Sequence, residues 1–323
     1  MMRRLGSVLL TVLVLVVCLC SCELSMQAPK QGKVHILVYG NDYHFQEYSS
    51  LNATVNDAVQ VGLALSRLCE KQGDVEYQAK FIYGAMAYPF YDDLIDQLPF
   101  AERSHDLSWT YLESEIERIA DESKDGDLTF FFFSGHGDSE YKSKVEYGTD
   151  TASKAVFATR KTKDSTANYL VSISTLTDKI VAIKGTKVVF SDFCYSGSFV
   201  QAGYVSVTGS DYKEMTALDL FSLKSEIRES SSTFFLSASR YYEQSYEEPS
   251  KTYNRYLHGY FSKSLLNALG WDDKTESLTT GLAFNNGCLT FFNVSNYVMN
   301  NDDESRQTPM YNGGSNDIIL FSF

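Results

Sequence analysis

Asp127-Leu-Thr-Phe-Phe-Phe-Phe-Ser-Gly-His-Gly137 and Lys187-Val-Val-Phe-Ser-Asp-Phe-Cys-Tyr-Ser-Gly197 each run apolar and then stop abruptly at a polar turn that carries glycine. Neither alternates polar with apolar residues as a half-exposed strand would. Both have the unbroken aromatic and β-branched composition of a strand covered on two faces. Such strands belong to a parallel sheet flanked by helices, and ligands and catalytic groups gather in the loops at the carboxyl ends of its strands. One strand delivers His136 to that edge and the other delivers Cys194. If the two are neighbours, about 4.8 Å apart, the turns beyond them can present an imidazole and a thiol to one carbonyl. The pair predicts a cysteine nucleophile with its base.

Working outward, Val34–Tyr39 reads as a first strand and Thr54–Leu68 as an amphipathic helix with Val55, Val59, Gly62 and Leu65 on one face. Glu76–Tyr83 is a second strand. A helix over Leu107–Ala120 follows, running through Trp109, Leu112, Ile116 and Ile119, with Asp106 placed to cap it. Ser172–Ile183 reads as the helix that feeds the cysteine strand. Thr233–Ser239 is a further buried strand, His258–Leu269 and Leu289–Met299 are helices, and Asp317–Phe323 closes the chain as a strand. Gly270 is placed as a C-cap. This order predicts right-handed crossovers and an α/β three-layer sandwich with a mostly parallel central sheet of about six strands. The polar stretch 138–168 is expected as a loop or hairpin excursion at the active edge, with Arg240–Glu248 as an acidic loop beside it. Residues 198–232 have little sheet character, although Met215–Ile227 can form a helix.

Arg3 and Arg4 precede the apolar run Val8–Leu19, which is too short to span a bilayer and has the three regions of a secretory signal over residues 1–21. Leu19-Cys20-Ser21-Cys22 resembles the lipobox of bacterial lipoproteins. That resemblance implies lipid on Cys22, a tether over 22–32 and a lipid-anchored place in a bacterial cell envelope; the alternative is cleavage nearby without lipid. Loss of residues 1–21, which hold two arginines and no acid, takes the formal charge from −13 to −15. With no basic stripe, nucleic acid is excluded as a partner and cationic partners are favoured. The mature cysteines are Cys22, Cys69, Cys194 and Cys288, too few for a disulfide-built scaffold; with Cys22 assigned to lipid and Cys194 to chemistry, Cys69 and Cys288 either pair or stand as two buried thiols in helix-like contexts, the second being the simpler reading.

Ser134-Gly-His-Gly137, followed 58 residues after the histidine by Asp192-x-Cys194-x-Ser-Gly197, resembles the caspase-like peptidases, bacterial metacaspase-type members above all. The likeness extends from the first strand through Asn56-Asp57-Ala58 to Arg306-Gln-Thr-Pro309. It implies a caspase-like peptidase domain over 33–323, divided into a large-subunit-like part (33–200), a connector (201–232) and a small-subunit-like part (233–323). It also implies a cysteine endopeptidase acting on proteins or peptides without a cofactor, in which His136 and Cys194 form the dyad and the N–H groups of Gly137 and Cys194 form the oxyanion hole. Calcium activates some metacaspases, but neither an EF-hand loop nor a zinc spacing is present to assign it.

Asp192, two residues before the nucleophile, Ser237 in the next buried strand, and Glu243 and Glu247, whose Glu243-x-Ser-x-Glu247 segment resembles the family's pocket-lining segment, are the candidate substrate-binding residues. A carboxylate in a partly dry pocket favours a Lys or Arg side chain, which predicts cleavage after a basic residue and makes Lys213, Lys224 and Arg228 of the connector candidate self-cleavage points. Relatives often carry His directly after the nucleophile, where this chain has Tyr195. The competing function is a binding-only lipoprotein that engages a partner through Tyr88, Tyr91, Tyr241, Tyr242 and Tyr246. Intact His136, Gly137, Cys194 and Gly197 favour the enzyme.

Overall fold

The computed structural model describes residues 32–73, 75–84, 89–139, 155–200, 233–249, 254–279, 283–302, 304–312 and 318–323. Its strands are β1 (Val34–Gly40), β2 (Tyr77–Tyr83), β3 (Ala101–Ser104), β4 (Leu128–Ser134), β5 (Gly137–Ser139), β6 (Ala155–Arg160), β7 (Asn168–Ser172), β8 (Thr186–Asp192), β9 (Thr233–Ser237), β10 (Trp271–Asp272), β11 (Ser277–Leu278), β12 (Cys288–Thr290), β13 (Met310–Tyr311) and β14 (Ile319–Ser322). The helices are α1 (Thr54–Gln72), α2 (Pro89–Ile95), α3 (Trp109–Glu122), α4 (Ile173–Val181), α5 (Tyr260–Leu269) and α6 (Phe291–Asn301).

Among the described residues the central sheet has seven strands in the order β13-β9-β8-β4-β1-β2-β3, all parallel except β13. All seven residues of β1 and of β4 are buried, as their unbroken apolar runs require. β4 and β8 pair in register from Leu128↔Thr186 to Ser134↔Asp192. His136 and Cys194 therefore leave the sheet two residues beyond the same paired position.

Alternation along these strands sends side chains into two cores. Phe130, Phe132, Val188 and Phe190 pack with α1, α2, α5 and α6; Phe131, Phe133, Val189 and Phe235 pack with α3 and α4. Helix α1 is buried on almost every side, since it lies against both the sheet and α5.

Seven strands stand where about six are expected. The edge strand β3 is Ala-Glu-Arg-Ser, short and charged as exposed edges are, so it has no apolar run to announce it. The closing segment forms β14 but pairs with β12 in a separate ribbon. The excursion after His136 is a three-stranded antiparallel sheet, β5-β6-β7. Ser108, not Asp106, caps α3 by accepting the Tyr111 N–H (3.4 Å), while Asp106 accepts the Ser108 N–H (3.0 Å). Gly270 closes α5 in the left-handed conformation as expected. Cys69 and Cys288 are both free thiols, but Cys288 is half-buried and lies in a strand, not in a helix. Tyr91 is fully buried, its hydroxyl bonded to Asn56, and so offers no surface for a partner. Cys22, Tyr88, the signal segment 1–21, the Met215–Ile227 helix and the connector 201–232 with Lys213, Lys224 and Arg228 lie outside the described residues.

At the amino edge of the sheet the aromatic core gives way to a polar row in register, Gln78, His35, Thr129, Lys187 and Thr233. Neither ring nitrogen of His35 makes a hydrogen bond; the nearest acid, Asp127, is 3.8 Å away. Burial is the largest influence on His35 and lowers its pKa below 6.5, so the folded protein holds it neutral while the unfolded chain takes up a proton. Its contribution to stability is complete above pH 6.5 and is lost as pH falls from there toward the folded value. An orphaned polar group replaced by an apolar one of similar shape is close to neutral when no charge is involved. Urea unfolding should therefore show His35→Leu keeping more of its pH 7 stability at pH 5.5 than the wild type does; parallel decline of the two proteins would contradict the assignment.

Candidate active site

At the carboxyl edge of the sheet a cleft of about 250 Å³ opens between the β1–α1 loop, the ends of β4 and β8, and the segment after β9. His136, Gly137, Cys194, Asp57, Asp192 and Glu247 all line it. The turns after β4 and β8 touch through their main chains: a Cβ on Gly137 would lie 2.1 Å from the carbonyl oxygen of Cys194. Only glycine permits that approach.

The β1–α1 loop orients His136. Its Nε2 lies 2.8 Å from the carbonyl oxygen of Ser49, an acceptor, so Nε2 carries the proton and Nδ1 is the basic nitrogen. Tyr48 stacks on one side of the ring at 5.0 Å, and Tyr43 lies tilted against it at 4.6 Å. Tyr43 is fully buried with φ 57°. Its hydroxyl accepts the His136 N–H (2.8 Å) and donates to the Ala158 carbonyl (2.6 Å), while the Asn41 side chain accepts its N–H (3.0 Å). A non-glycine residue held in the left-handed region by this many bonds marks a constrained site. The clue in sequence is the aromatic Tyr43-His44-Phe45 just past β1, at the edge where functional loops gather.

Cys194 begins a tight turn in which Tyr195 is also left-handed, φ 63°, its N–H donated to the Glu243 carbonyl at 2.8 Å. The thiol donates weakly to the Ser245 carbonyl, 3.8 Å away. Burial raises the Cys194 pKa and lowers that of His136, so thiol and imidazole both favour their neutral forms.

The floor of the cleft is acidic. Asp192 Oδ2 accepts the hydroxyl (2.6 Å) and N–H (3.2 Å) of Ser262, yet burial, reinforced by the charge of Asp57, pushes its pKa up to about 8. Asp57 accepts from Gly259 N–H (3.2 Å), from the Ser134 hydroxyl (3.4 Å) and from His258 Nδ1 (2.8 Å). A Cβ on Gly259 would lie 2.2 Å from Asp192 Oδ2 and 3.3 Å from Asp57 Oδ2, so the two carboxylates converge on one bare stretch of backbone.

The remaining sequence-derived positions divide. The Glu247 carboxylate reaches the cleft but accepts the N–H groups of Asn52 and Ala53 (3.0 and 2.9 Å), tying the loop after β9 to the start of α1. Glu243 is not part of the lining; its carboxylate pairs with Arg240 at 3.2 Å. Ser237 is fully buried within β9, its hydroxyl bonded to that of Ser191 (2.9 Å), and also stays out of the lining. The Arg306-Gln-Thr-Pro309 stretch acts from behind: Gln307 Oε1 accepts the Tyr246 N–H (2.8 Å) and the Arg306 guanidinium lies over the Tyr246 ring at 3.9 Å, holding the loop that forms one wall.

A mostly parallel sheet that offers a histidine and a cysteine from adjoining strand ends, over an acidic cleft, is the arrangement the caspase-like resemblance implies. The family described as the caspase domain matches residues 33–315, and the chain belongs to that family. A crystal structure of a Geobacter sulfurreducens protein is similar over 88% of this chain and 95% of its own, with 15% identity and a TM-score of 0.48. No curated protein matches the sequence.

Proposed function

We propose that the chain is a metacaspase-type cysteine endopeptidase with a Cys194–His136 dyad that cleaves after Arg or Lys. The observation that carries this reading is that His136 and Cys194, each two residues beyond the paired position Ser134↔Asp192, both line one cleft. The Ser49 carbonyl holds Nε2–H, so Nδ1 of His136 accepts the thiol proton as Cys194 Sγ attacks the peptide carbonyl. The N–H groups of Gly137 and Cys194 are the donors assigned to the developing oxyanion, where preorganised dipoles contribute most. The imidazolium then gives its proton to the departing amine, leaving a thioester on Cys194. Water, deprotonated by the same nitrogen, releases the acid product.

Basic specificity rests on Asp192 and, from the structure, Asp57. A substrate guanidinium or ammonium at this floor favours the ionised form of Asp192, so binding such a side chain displaces the proton that burial keeps there. In the first 22 residues, the signal pattern and Cys22 support export and lipid anchoring at the bacterial envelope. Membrane fractionation should find the wild type with membranes and Cys22→Ser released; equal partition of the two would refute the anchor.

Fluorogenic peptides ending in arginine or in its uncharged isostere citrulline test the peptidase reading. The purified protein should favour arginine about a hundredfold or more at pH 7.5, and Cys194→Ala should lose about a thousandfold or more in kcat. KM for the arginine peptide should fall as pH rises through 8, following the ionisation of Asp192, with no such trend for citrulline. Hydrolysis that survives Cys194→Ala, or a preference for Asp or Leu, would overturn the assignment.

A further inference from the structure

His258 lies directly behind the cleft floor, 3% exposed, and is bonded through both ring nitrogens. Nδ1 is 2.8 Å from Asp57 Oδ1 and Nε2 is 3.1 Å from Asp273 Oδ2. Ionised carboxylates only accept, so two such partners require a proton on each nitrogen, which makes the ring an imidazolium. Burial alone would lower the pKa of His258, but the bonds to Asp273 and Asp57 outweigh it and raise it to about 9. Among the described residues this is the one cation in contact with Asp57, which is fully buried and beside Asp192; burial raises the Asp57 pKa, and His258 is the foremost influence acting against that rise. Two buried acids so close together, with no cation against either, keep a shared proton at neutral pH.

We propose that His258 is a specificity-determining positioning residue: bridging Asp57 and Asp273, it keeps Asp57 ionised and fixed in the floor, so that a substrate cation meets two carboxylates instead of one carboxylate and one carboxylic acid. This deepens the basic-pocket reading and rests on it.

The surrounding charges leave that role to His258. From α1 and the loop after β9 come Asp57 and Glu247, the latter bound to backbone N–H groups. Glu248 accepts the His258 N–H (3.4 Å) and pairs with Lys263 of α5, which occupies that ammonium. Asp192 faces Asp57 from β8, with Asp302 at longer range. On the outer side, Asp273 and Arg255 both act on Glu276, and the Arg255 guanidinium lies over Phe90 and Tyr256. Neither Lys263 nor Arg255 reaches Asp57.

The test is the ratio of kcat/KM for arginine over citrulline peptides, followed from pH 6 to 9.5 in the full-length protein. Titration of Cys194 and His136 is common to both substrates and cancels in the ratio. His258→Gln should lower the ratio about tenfold or more at pH 7, with recovery as rising pH ionises the second acid. Asp57→Asn should lower it too, and the double variant should fall no further than Asp57→Asn alone. Asp273→Asn acts from the half-exposed side and should lower the ratio in the same direction, which keeps the question answerable if His258→Gln does not fold. An unchanged or raised ratio at pH 7 in the histidine variant, or in Asp273→Asn if that must stand in, overturns the proposal. So do fully multiplicative losses in the double variant. A wild type that shows no preference for arginine instead overturns the basic-pocket reading, and the role of His258 falls with it.

Discussion

The in-register pairing of β4 with β8 is the constraint from which the rest of the site follows. Phe130 and Phe132 belong to one core and Phe131 and Phe133 to the other, and the same division runs through Val188, Val189 and Phe190 on the neighbouring strand. Sliding either strand by one residue would exchange every side chain between faces. Each large apolar side chain displaced from its core would forfeit about 1.5–3 kcal/mol of burial, so the register is held by the whole sandwich and not by the site. The site uses that rigidity. Two turns that begin at one paired position, Ser134↔Asp192, cannot drift apart without dismantling the sheet.

Dryness is the second theme. Burial drives the cleft toward neutrality in its resting state, raising Cys194 and Asp192 and lowering His136. On the proposed reading, the charges for attack and for gripping a cation would develop only when a substrate enters, which would spare a free thiolate from oxidation. Burial raises Asp57 as well, and the bond from His258 is the largest influence opposing it. The sides of the cleft also share walls: the loop after β9 contributes Ser245 to the thiol and Glu247 to the start of α1, and Gln307 holds that loop from outside.

Much of this was legible in the chain, and the gaps have physical causes. Unbroken apolar runs ending in Gly-His-Gly and Cys-Tyr-Ser-Gly reveal central strands and the groups at their ends, because a parallel sheet leaves its interior strands no other composition. β3 and β13 lack that signal, being short edge strands. Asp57 sits within a helical pattern whose apolar spacing draws attention to Val55 and Val59; its place on the cleft depends on how α1 docks, a tertiary fact. His258-Gly259 reads as the start of a helix, and nothing local shows that the missing Cβ makes room for two carboxylates. For Glu243 and Ser237 the resemblance points to segments near the cleft, but the direction of each side chain is again a tertiary fact: Glu243 turns to Arg240 three residues before it and Ser237 to Ser191 across the sheet.

The central claim is that one thiol among the chain's cysteines is positioned beside its base at a cleft that admits a peptide. Incubating the protein with a peptidyl-arginine chloromethyl ketone and mapping the adduct by mass spectrometry tests it most directly. The account predicts one equivalent attached at Cys194, formed slowly or not at all in His136→Ala. Adducts at Cys69 or Cys288, or labelling of Cys194 at the same rate without the imidazole, would contradict it.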